Sequence, residues 1–202
     1  MRLLFVLGLL TAPATGAQPI APLQPMAFLA GHCWRGDFPD GRQSDEHCFE
    51  WLYGGRMLRD THHVHALGKP DYVGETTYYW DARAHAVEYL YIENAGGFGH
   101  GTVQSQGSVL VFPASEFVND SGVTTLRTRW TPVADDAYEV WAETQTKNGW
   151  QTMFKMVLRR ESSAAGNREF MGVFGSNRTE CGERLLDANS RQALPFCEHD
   201  AG

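Results

Sequence analysis

The stretch His32-Cys33-Trp34-Arg35-Gly36-Asp37-Phe38-Pro39-Asp40-Gly41-Arg42-Gln43-Ser44-Asp45-Glu46-His47-Cys48-Phe49-Glu50-Trp51 decides the fold. It reads as two short strands around a turn. Pro39-Asp40-Gly41 is turn chemistry, because proline presets φ and glycine accepts positive φ. A two-residue loop at Asp40-Gly41 and a four-residue loop over 39–42 give one and the same register. Pro39 favours the longer loop, since it cannot donate to a ladder. In that register Cys33 stands opposite Cys48. Trp34, Phe38, Phe49 and Trp51 share one face with His32 and His47. Arg35, Asp37, Ser44, Glu46 and Glu50 share the other with both cysteines. A three-residue loop would slip one strand by a residue, put the sulfurs on opposite sides and mix the two faces. The disulfide and the apolar pattern thus select the register independently. Trp34, His47, Phe49 and Trp51 become candidates for lining an interior.

Outward from this hairpin the chain keeps the same punctuation. Short runs of Val, Thr, Tyr, Trp and Phe alternate with Gly, Asn, Asp and Pro about every ten residues, which is the pattern of strands and turns. Ten strands are expected, over 31–38, 43–52, 56–66, 72–80, 86–93, 99–105, 108–113, 123–131, 137–146 and 150–160. The connections are short, so neighbours pair as hairpins. An all-β antiparallel meander of this length closes on itself or leaves open edges. No long amphipathic helix is present, which excludes alternating strand-helix folds. The last hairpin turns at Asn148-Gly149, a strong two-residue signal. That turn sets Glu143 beside Phe154 and Trp141 beside Met156.

The ends of the chain have a different composition. Met1-Arg2, the apolar run from Leu3 to Leu10 and the small residues ending at Ala17 have the order of a secretory signal. Cleavage is expected after Ala17, with Ala14 as the second choice. Residues 18–27 form a Pro-rich extended leader, with one helical turn at Pro25–Ala30. Residues 28–160 form the barrel domain, and 161–202 a C-terminal extension. Four cysteines in an exported chain suggest two disulfides, Cys33–Cys48 and Cys181–Cys197, because no two stand at the spacing of a structural zinc site. The net charge of −7 argues against a nucleic-acid partner, which needs a basic face. No later stretch is apolar enough to span a bilayer as a helix.

Phe28-Leu29-Ala30-Gly31, then Trp34-Arg35-Gly36, then Gly54-Gly55-Arg56-Met57-Leu58 resembles a group of small bacterial exported proteins of lipocalin-like type, within the broad calycin group. The Tyr-rich run from Gly74 to Asp81 fits the same pattern loosely. The first strand departs from the calycin hallmark of Gly and Trp two apart, since Gly31 and Trp34 stand three apart. The resemblance implies a barrel with an interior cavity holding an apolar or amphipathic small molecule. A related ten-stranded group, the nitrobindin-like proteins, binds haem through a His late in the barrel. Strands eight to ten here contain no His, and His199 lies beyond Cys197. No cofactor is therefore expected.

Chemistry-bearing residues are few and scattered. His63 and His65 lie two apart on one strand and so share a face. With the next loop centred on Lys69, Glu75 would stand opposite His63, as a third metal ligand or a catalytic partner. His100 sits in the Gly-rich stretch from Gly96 to Gly101, read as a loop at the barrel mouth. Glu143 would be an interior acid if its face points inward. There is no serine elbow, and oxidised cysteines offer no thiolate. The leading expectation is an exported barrel that binds a small apolar or amphipathic ligand through Trp34, His47, Phe49, Trp51, His63 and His65. A cavity enzyme using His63, His65 and Glu75 is one alternative. A structural envelope protein is the other.

Overall fold

A computed structural model describes residues 18–162. Ten strands follow in order: β1 His32–Asp37, β2 Gln43–Leu52, β3 Met57–Ala66, β4 Tyr72–Asp81, β5 Ala86–Glu93, β6 Phe98–Gln106, β7 Val109–Asn119, β8 Gly122–Ala134, β9 Ala137–Thr146 and β10 Gly149–Arg160. Each pairs antiparallel with the next, and β10 pairs back onto β1, so the sheet closes as a barrel. The expected class, strand number and meander order are those of the structure. The signal segment and the Cys181–Cys197 pair lie outside the described residues.

The opening hairpin has the expected register. Cys33 faces Cys48, and the two are bonded. The loop is the four-residue one: Phe38 N–H donates to Gln43 O at 3.0 Å, and Gly41 takes a φ of 66°. Trp34 and Phe49 point inward and are buried.

Three local readings are corrected. The helical turn is a 3-10 helix over Ala21–Met26, inside the stretch read as an extended leader. Proline at its first turn presets the helical φ where no N–H is needed. Strand β7 does not stop at Pro113. A register shift between Phe112 and Ser115 takes up Pro113 and Ala114, and pairing with β8 resumes to Asn119; a bulge is where a sheet tolerates proline. In the last hairpin the two loop residues are Lys147 and Asn148, with Gly149 opening β10 at a φ of 104°. A second shift at Met153 then sets Met156 beside Val140 and Lys155 beside Trp141. Glu143 consequently faces outward, where Arg127 Nε–H donates to its Oε2 at 2.6 Å.

The barrel has two unlike poles. The chain enters and leaves at one of them, along with the turns after β2, β4, β6 and β8. This pole is closed. Leu23, Met26 and Leu29 from the N-terminal segment are fully buried there with Trp34, Leu58, Tyr138 and Leu158. The Trp34 indole N–H donates to Leu29 O at 3.1 Å, and its ring meets Tyr138 at 5.1 Å in an edge-on contact. Ile20 N–H donates to Gly55 O at 3.0 Å, which ties the segment down. Each such aliphatic side chain contributes about 1.5–3 kcal/mol on burial. Among the described residues no helix is long and apolar enough to cross a membrane.

Candidate ligand-binding site

The other pole is formed by the β1–β2, β3–β4, β5–β6, β7–β8 and β9–β10 hairpins. Between it and the closed core lies a cavity of about 500 Å³. Phe38, Tyr72, Tyr91, Phe112, Phe117 and Trp130 supply much of its wall. The ladder explains why. Strand residues two apart share a face, so the pairings Thr76↔Tyr91, Tyr78↔Tyr89 and Gly99↔Phe117 turn these rings into one lumen. Glycines make the room. A Cβ at Gly74 would lie 2.6 Å from the Tyr91 ring, and one at Gly101 would lie 2.8 Å from the Tyr89 hydroxyl. The stretch read as a mouth loop is thus largely the start of β6, where Gly101 clears space for Tyr89 on β5. His100 points out of the barrel instead, beside Glu88.

The cavity floor is polar. Asp45 and His47 alternate inward on β2, and Asp60 and His62 do so on β3, in the register His47↔His62. His47 Nδ1–H donates to Asp60 Oδ2 at 2.9 Å, and its Nε2–H donates to Asp45 Oδ2 at 3.2 Å. Burial alone would lower the pKa of His47, but the charges of Asp60 and Asp45 outweigh it and hold the pKa well above the usual value. The imidazole is therefore a cation clamped between two carboxylates. His62 goes the other way. Burial, and after it the neighbouring His47 cation, bring its pKa down to about 4. Its neutral ring stacks on Tyr91 with centroids 5.6 Å apart and an 8° interplanar angle. For Asp45, burial acts to raise the pKa, and His47 more than offsets it, so the carboxyl sits below its usual range. Its Oδ1 is buried and has no hydrogen-bond partner among the described residues. Hydroxyl pairs complete the wall: Tyr72 with Tyr91 at 2.6 Å, and Tyr89 with Ser115 Oγ at 2.7 Å.

The residues singled out from sequence take several places. Trp34 and Trp51 belong to the packing of the closed pole, and Phe49 lies in the core against His47 and Trp130. His47 sits beneath the cavity, held by its two aspartates. His63 and His65 lie on the outer face, their rings 6.0 Å apart, and His65 Nδ1 lies 3.0 Å from Asp71 Oδ2. Glu75 does not stand opposite His63. It pairs with Thr61, while His63 faces Val73, because the β3–β4 connection is centred on residue 68 rather than 69. The three groups therefore do not converge on a pocket. His32, read as interior, is exposed at the closed rim, 3.4 Å from an Arg160 guanidinium nitrogen. Among the described residues no group of three or more His, Cys, Asp or Glu is placed to hold a metal ion. Asp45, Asp60 and His62 were not singled out from sequence. Their signal was the Asp-x-His spacing repeated on β2 and β3, which marks one face only once the two strands are registered.

No family model and no curated protein matches the chain. Among solved structures it is similar to the crystal structure of Rv2717c from M. tuberculosis, at 18% sequence identity and a TM-score of 0.48, over 72% of this chain and all of that one.

Proposed function

We propose that the chain is an exported binding protein that holds a small apolar or amphipathic molecule in the barrel lumen. The observation that carries this reading is the cavity of about 500 Å³, with aromatic rings supplying much of its wall and the Asp45 carboxylate and His62 at its floor. Ligand pockets in general have this size and make-up, with few polar groups that fix orientation. Export is supported by the disulfide, which persists in oxidising compartments, and by the signal-like N-terminus. The periplasm or the extracellular medium is the proposed location.

N-phenyl-1-naphthylamine tests the cavity, because its fluorescence rises in apolar surroundings. One equivalent is expected to saturate each chain. Gly99→Leu is expected to abolish that binding and leave the fold intact. Gly99 lines the cavity, and a Cβ there meets nothing closer than 3.4 Å. Probe binding that survives this substitution, or native mass spectrometry of the protein from its own source showing no bound molecule together with no probe uptake, would defeat the reading. N-terminal sequencing of that same material is expected to begin at Gln18.

A further inference from the structure

We propose that the lumen selects ligands carrying a protonated amine, seated head-down on Asp45, and discriminates against ligands carrying a carboxylate. This rests on the cavity reading above and adds the chemistry of the head group.

The first observation is the floor's charge. Asp45 and Asp60 carry two negative charges and the His47 imidazolium one positive, which leaves a formal excess of one negative charge. Both His47 N–H groups are already spent on the aspartates. His62 is neutral and brings no compensating cation. The second observation is an acceptor without a donor. Asp45 lines the cavity, is 6% exposed, and its Oδ1 finds no partner among the described residues. A buried carboxylate oxygen left in this condition is costly, and an N–H donor relieves it. The third is the wall above it. The Tyr72 and Tyr91 rings flank His62 at 5.5 and 5.6 Å, and an ammonium over tyrosine faces gains cation–π attraction. Arg127 borders the cavity, but its guanidinium is taken up by Glu143 and by the Trp150 ring at 4.3 Å on the outer face. A carboxylate head would meet Asp45 across a low-dielectric gap, with the His47 and Arg127 cations already engaged by carboxylates.

Three probes with the same four-methylene spacer separate this inference from the reading beneath it: 4-phenylbutylamine, 4-phenylbutan-1-ol and 5-phenylpentanoate, each titrated calorimetrically into the wild-type protein at pH 7. The amine is expected to bind at least tenfold tighter than the carboxylate, with the alcohol between them. Asp45→Asn is expected to collapse the amine-to-carboxylate ratio toward one. Alcohol binding with no amine preference overturns the head-group inference and leaves the cavity reading standing. Failure of all three to bind overturns both. The wild-type comparison decides even if the Asp45 variant does not fold, and an unchanged ratio in a folded Asp45 variant removes Asp45 from the site.

Discussion

At the closed pole, Trp34, Tyr138, Leu58 and Leu158 meet side chains from the N-terminal segment until little space remains. At the open pole the same strands present Tyr72, Tyr91 and Phe117 across a gap. Both regions are aromatic, so composition does not set them apart. The difference is the presence of a tenant. Leu23, Met26 and Leu29 occupy one end of the barrel from within the chain itself, and the other end holds the cavity. The polar floor marks the border between them. It is a buried ion cluster in which His47 is bonded to both aspartates and Asp45 Oδ1 has no partner among the described residues.

The comparison can be broken by paired substitutions. Trp34→Ala should cost about 4 kcal/mol, as truncation of a buried aromatic in a filled core does, read by denaturant unfolding. A loss under ~1 kcal/mol would mean that the closed pole is not the load-carrying core. Reducing the Cys33–Cys48 bond, or replacing both cysteines by serine, should cost roughly 3 kcal/mol. The bond spans 15 residues, and this is the chain-entropy value for such a loop. An unchanged melting temperature in dithiothreitol would show that the opening hairpin holds without its bridge.

The border should show itself in pH. A histidine held neutral in the folded state contributes stability that is present above its unfolded pKa and lost on acidification. For His62 the loss runs from about pH 6.5 down to about 4 and amounts to up to ~3 kcal/mol. His47 has the opposite sign. Its raised pKa contributes stability that is full below about pH 6.5 and lost as the pH climbs through the folded value. Melting temperatures should therefore form a dome, and His62→Phe should flatten its acid side alone. An acid limb of unchanged slope in that variant would place the titration elsewhere. The smallest effect belongs to the open pole. Phe117→Ala should cost about 1 kcal/mol, because the ring is only half buried and the space around it is already open. Its larger consequence should fall on N-phenyl-1-naphthylamine binding.

The first hairpin was legible because two independent constraints, a covalent bond and an alternation, fixed one register. The same constraints did not say which end of the lumen these rings occupy. Trp34, Phe49 and Trp51 do point inward, but at the end of the lumen that the N-terminal segment fills. Nothing in strand periodicity tells which pole of a barrel is plugged, since this depends on contacts between residues far apart in sequence. The β3–β4 register illustrates the same limit. Shifting the loop centre from residue 69 to 68 moves Glu75 from His63 to Thr61. It was the one-position uncertainty in a Gly-Lys-Pro turn that made a catalytic cluster out of outward histidines. Bulges at Pro113 and Met153 were hidden for a related reason. Each adds a residue to one strand only, and local alternation absorbs it without a trace until the partner strand is known.

The strand count is even, so the first strand starts and the last strand ends at one pole. Residues 18 and 162 therefore both belong to the stoppered side, and the rim opposite consists of hairpins alone. Over the described residues the domain is built like a cup whose stem carries both ends of that segment. A surface linkage made directly at residue 18 or residue 162 would hold this cup by its stem.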